Sequence, residues 1–106
     1  MAEATVTLRP HLLPEERECL IALAHRMARI APPEYRDGLR TLADGLTSRQ
    51  RFTLDAPFAN WCGEMLNHRR LTLRSEMERR AVGTLAGYIR HNLCFRAGYL
   101  PRSIVL

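Results

Sequence analysis

A chain of 106 residues, 46% hydrophobic and 25% charged, is sized for a single domain over 1–106 and is too apolar to be a disordered polymer. Its formal charge of +5 favours anionic partners, and all 16 of its lysine-plus-arginine cations are arginine. No apolar run approaches the roughly 20 residues that span a bilayer, and the start MAEATVTLRP lacks the order of a signal peptide, so a cytoplasmic protein without membrane contact is expected.

Residues 1–13 read as an irregular segment in which Thr5-Val6-Thr7-Leu8 alternates like a short extended piece. Helix one is predicted over 14–31. Pro14 suits the first turn, Glu15, Glu16 and Glu18 suit the positive dipole end, and Leu20, Leu23, Ala24, Met27 and Ile30 form the apolar stripe. Pro32-Pro33 stops it. Helix two is predicted over 33–46 on Tyr35, Leu39, Leu42, Ala43 and Leu46. Residues 47–55, TSRQRFTLD, fit either a strand or a loop anchored by Phe52 and Leu54.

Helix three is predicted over 56–67, with Asp55 as N-cap, Pro57 in the first turn and Phe58, Trp61, Cys62 and Met65 on one face. Helix four is the longest, over 75–97. It opens on the capping box Ser75-x-x-Glu78 and steps through Met77, Ala81, Leu85, Ile89 and Leu93. Gly83 and Gly87 lie one turn apart on it and make a smooth strip that another chain segment could approach. Gly98 and Pro101 mark its end, before the apolar tail RSIVL. Amphipathic helices with short links imply an all-α fold: a compact bundle of about four helices, with an irregular N-terminal segment and a short C-terminal tail.

The chemistry of a catalyst is not visible. Cys19, Cys62 and Cys94 are far apart and set among apolar neighbours, as reduced core thiols are. None of His11, His25, His68 and His91 pairs at the spacing of a helical metal site, and His25 reads as a packed histidine. There is no Gly-rich phosphate loop. The expectation is a non-enzymatic protein with no metal and no cofactor.

The arginines remain. Residues 66–80, LNHRRLTLRSEMERR, hold five of them. Glu76 sits one turn before Arg80, and Glu78 lies beside Arg79 and Arg80, so those two read as structural. Arg69, Arg70 and Arg74 have no local acid and are expected at the start of helix four, where guanidinium groups and free N–H donors suit a phosphate. Arg49 and Arg51 flank Gln50 beside Phe52, a second candidate cluster of the kind that holds single strands.

In its length, single domain, lack of catalytic motifs and Arg-only basic balance, the chain resembles the small helical proteins of phages and mobile elements, of the anti-CRISPR type. That resemblance implies an inhibitor that occupies a surface. The functional expectation is nucleic-acid binding, single-stranded or backbone-directed, with DNA foremost, through Arg69, Arg70, Arg74, Arg49 and Arg51. The alternative is a regulator that occupies an acidic or nucleic-acid-binding surface of a nucleic-acid-handling protein complex. Either would act as a monomer or, through the tail or the glycine strip, as a homodimer.

Overall fold

The computed structural model describes residues 5–95, with the side chains of 94 and 95 outside that description. The expected end of helix four near Ala97, its Gly98 cap, the Pro101 stop, the tail and the setting of Cys94 fall outside the described residues. Four helices and one two-stranded ribbon follow in the order β1 (Thr5–Leu8), α1 (Pro14–Ile30), α2 (Pro33–Ser48), β2 (Phe52–Asp55), α3 (Ala56–Arg70) and α4 (Glu76–Phe95). The mostly helical bundle is as the sequence implies. No helix among the described residues is long and apolar enough to cross a membrane.

The N-terminal segment is more regular than expected. β1 and β2 pair antiparallel, with Val6 opposite Leu54 and Leu8 opposite Phe52. Alternation puts Val6, Leu8 and Leu54 inside, while the Thr7 and Thr53 hydroxyls meet at 3.3 Å on the outer face. A two-stranded ribbon is marginal alone and is held here by the helices beneath it.

α1 starts with Pro14 in its first turn, and the buried Glu16 carboxylate accepts the Leu13 N–H at 2.9 Å. Its inner face is Leu20, Leu23, Ala24 and Met27. Two expectations for α1 fail. His25 is exposed, because it lies about 100° round from Ala24 on the helix. Ile30 is 71% exposed, because the chain turns away at Pro32-Pro33 and covers its last turn incompletely.

α2 buries Leu39, Leu42, Ala43 and Leu46 and runs two residues past Leu46, to Ser48. Its two glycines face rings: a Cβ on Gly38 would stand 2.4 Å from Phe58, and one on Gly45 would stand 2.3 Å from Phe52. Arg17 donates to the Leu46 carbonyl at 2.9 Å and so ties α1 to the end of α2.

α3 follows β2 directly. Asp55 occupies the N-cap position but makes no side-chain cap bond. Trp61 stacks on Tyr35 with ring centroids 4.3 Å apart, while Phe58 packs under both. The inner face of α4 passes through Val82, Leu85, Ile89 and Leu93. Ala81 is also buried on this face, but Met77, one turn earlier in the first turn of the helix, is 41% exposed instead of buried. The Ser75 hydroxyl accepts the Glu78 N–H at 3.4 Å, as the capping motif requires.

Candidate nucleic-acid interface

α3 is one turn longer than the sequence suggests, and this changes the meaning of the arginine stretch. Arg69 and Arg70 lie in the last turn of α3 with His68, beside the negative end of its dipole, and not at the start of α4. The helix ends where the Thr72 hydroxyl and N–H both reach the Arg69 carbonyl at 2.9 Å. The N-terminus of α4 is also unlike a phosphate site. Ser75 already takes one of its N–H donors, and Glu76 and Glu78 place two carboxylates in its first turn.

The three arginines point in different directions. Arg69 is partly buried. It lines a small cavity of about 160 Å³ with Met27, Ile30, Ala31, Pro32, Trp61 and Met65, and its Nε has no hydrogen-bond partner. Its stem therefore covers apolar surface. Arg70 lies about 100° further round α3 and reaches over Gly83 of α4, with Nη1 3.3 Å from where a Cβ would sit. Arg74 is exposed on the connection 71–75. Its carbonyl accepts from Arg79 at 3.1 Å, and the Leu73 carbonyl accepts from the same guanidinium at 2.8 Å. Arg79 thus braces the loop, whereas Arg80 pairs with Glu76 at 3.9 Å, as expected from sequence.

Arg49 and Arg51 are not neighbours of this set. Phe52 packs on Gly45, Phe58 on Gly38 and Trp61 on Tyr35, so β2 and α3 run against α2. Arg49 and Arg51 thus sit at one end of α3 and Arg69 at the other, at least about 20 Å apart for a helix of this length. Arg49 lines a cleft with Arg9, His11 and Arg17 instead.

What Arg70 does join is a groove between α3 and α4, about 280 Å³ in volume. α3 contributes Asn60, Gly63, Glu64, Asn67 and Arg70; α4 contributes Gly83, Gly87 and Arg90 along its outward face. Gly63 faces Ile89 of α4, with 3.5 Å from its Cβ position to Cγ2, an ordinary van der Waals contact where the two helices meet. Gly87 has open space above it, so of the expected smooth strip the Gly87 half is open groove floor, while Arg70 lies over the Gly83 half.

The charge of this groove is available. Among the described residues the ion pairs are Arg40 with Asp37 and Arg80 with Glu76, both between exposed side chains and worth about 0–0.5 kcal/mol each. Neither involves Arg70 or Arg90. Glu64 is the single acid on the groove. Arg90 follows Gly83 by two turns, about 10 Å along the axis.

Both described thiols, Cys19 and Cys62, are shifted above the ordinary thiol value. Burial pushes Cys62 up to about 12 from 9.0, and Cys19 is raised chiefly by desolvation, with Glu78 adding to it and Arg26 opposing. Site-resolved alkylation at neutral pH is expected to leave Cys62 unmodified until denaturant is added. The fold favours the neutral Cys62 thiol, so its contribution to stability is complete below pH 9.0 and is lost as pH rises from there toward about 12. Among the described residues no three His, Cys, Asp or Glu side chains gather as a metal site. Comparisons with protein-family models, curated proteins and solved structures find no match for this chain.

Proposed function

We propose that this protein is a non-enzymatic nucleic-acid-binding protein that holds a phosphate backbone along the α3–α4 groove. The observation that carries this reading is the pair of arginines without ion-pair partners, Arg70 and Arg90, set along a glycine-floored groove. Guanidinium groups grip phosphate oxygens as forks, and missing Cβ atoms let a backbone approach closely. Asn60 and Asn67 supply amides that donate and accept. Glu64 repels phosphate but accepts from exocyclic amino groups of bases, which favours a strand whose bases are accessible, hence single-stranded DNA or RNA. Arg74 on the adjoining connection extends the positive surface. Arg69 contributes charge at the far side and packing on its own.

A second reading, a regulator that docks on a nucleic-acid-handling protein, draws support from Ile30 and Leu71, which are 71% and 78% exposed. In an inhibitor of the anti-CRISPR type, that apolar surface would meet the target protein while the arginines occupied its nucleic-acid channel.

The two readings separate in a titration of labelled single-stranded and duplex DNA at about 50 mM and 200 mM salt. Groove binding predicts saturable binding, tighter for the single strand and weakening steeply with salt. Absence of binding at micromolar protein and low salt would remove the nucleic-acid reading and leave the protein partner.

A further inference from the structure

At the opposite end of the molecule from Arg70, three arginines from three separate segments line one cleft of about 350 Å³: Arg9 after β1, Arg17 in α1 and Arg49 after α2. His11 adds an imidazole and Glu16 one carboxylate. We propose that this cleft is a binding site for a phosphate dianion, a phosphomonoester or a pyrophosphate, distinct from the groove that carries the proposed function.

The argument begins with charge. Three guanidinium groups against one carboxylate leave the cleft with an excess of two positive charges, the complement of a dianion. Glu16 is already committed, since its carboxylate accepts the Leu13 N–H at 2.9 Å and the residue is 7% exposed. Among the described residues no arginine of the cleft forms an ion pair. Arg17 is also tethered: one guanidinium nitrogen donates to the Leu46 carbonyl at 2.9 Å, and its other donors have no partner among the described residues. Arg9 is anchored through its backbone, whose N–H donates to the Tyr88 hydroxyl at 3.2 Å, so its side chain is not needed for that tie. Planar forks brought together in this way suit the oxygens of a phosphate better than the two oxygens of a carboxylate.

Backbone geometry adds an independent sign. Arg49 has φ 61°, ψ 14°, the left-handed conformation in which helices usually end on glycine, and it is the one non-glycine residue with positive φ among the described residues. An arginine there keeps a strained backbone where glycine would relieve it, and its side chain lines the cleft.

The test is calorimetric titration of the intact protein with sodium pyrophosphate at low salt, beside Arg49→Gly, Arg9→Gln and the double variant Arg70→Ala/Arg90→Ala. Arg49→Gly is expected to raise the melting temperature and yet weaken pyrophosphate binding at least about tenfold, with a similar loss for Arg9→Gln. The groove double variant is expected to bind pyrophosphate as the parent does, so failure here and failure of the groove reading are separable. A 5′-phosphorylated oligonucleotide that displaces pyrophosphate, where its hydroxyl-ended twin does not, would make a nucleic-acid terminus the source of the dianion. Displacement by neither would make it a free phosphate compound. Equal displacement by both, no saturable pyrophosphate binding, or an Arg49→Gly protein that binds like the parent would overturn the proposal.

Discussion

Replacing Gly38 or Gly45 with alanine is expected to destabilise the protein by about 1–3 kcal/mol each, the cost typical of overpacking a core. The direction is the informative part. A glycine inside a helix ordinarily costs about 1 kcal/mol relative to alanine, so helix propensity alone predicts that both substitutions stabilise. Here the added methyl would stand 2.4 Å from the Phe58 ring or 2.3 Å from the Phe52 ring. The nearest ring atoms include Cγ, at the root of each side chain, so neither ring can swing clear without moving its own element. Phe58 is further held in the cluster with Tyr35 and Trp61, and Phe52 is fixed by the pairing of β2 with β1. Gly87→Ala is the control: nothing lies within 4 Å of its Cβ position, and there the propensity gain should appear. Chemical denaturation of the three variants checks the set. Destabilisation of Gly87→Ala equal to that of the other two would contradict the packing described.

Most of the fold was legible because the helices carry their own signals. The stripes Leu20-Leu23-Ala24-Met27 and Leu39-Leu42-Ala43-Leu46 need no partner to be read, and Pro14, Pro32-Pro33, Pro57 and Ser75 mark boundaries that hold. The ribbon was less legible. Strand pairing joins Thr5–Leu8 to Phe52–Asp55 across two intervening helices, and four alternating residues do not specify such a partner. Met77 and Ile30 belonged to apolar stripes by spacing, but whether a helix end is covered depends on what packs against it.

The site was legible only in fragments. Arg70 was identifiable as a cation without a local acid. Its place differs from the expectation because Leu66-Asn67-His68 contains no breaker, so α3 continues past 67 to Arg70. A signal was present nonetheless, since His68-Arg69-Arg70 is the basic run that helix C-termini favour. Arg90 gave no such signal. It lies on the solvent side of α4 and becomes a groove residue only when α3 packs antiparallel, bringing Gly63 to Ile89 and Arg70 to Gly83. Arg9 and Arg17 likewise meet Arg49 only through the fold. Sequence proximity suggested that Arg49 and Arg51 assist Arg69, Arg70 and Arg74; the length of α3 separates them.

Removing Arg70 and Arg90 together should weaken single-strand binding by at least tenfold at low salt, since hydrogen bonds to charged groups contribute about 1.5–3 kcal/mol each and exposure reduces that figure. Both side chains line the groove and, among the described residues, neither joins an ion pair or ties to a backbone carbonyl, so the fold should persist. Replacing Arg51 with alanine, at the other end of the molecule, should change affinity little. The loss should also have an electrostatic signature. Each phosphate contact contributes about 0.7 to the slope of log affinity against log salt for a single strand, so the double variant should lose about 1.4 from that slope. The direct measurement is this slope for parent, Arg70→Ala/Arg90→Ala and Arg51→Ala, with circular dichroism confirming equal folding. The groove account predicts a shallower slope for the double variant alone. An unchanged slope and affinity in the double variant, with the loss appearing in Arg51→Ala instead, would contradict it.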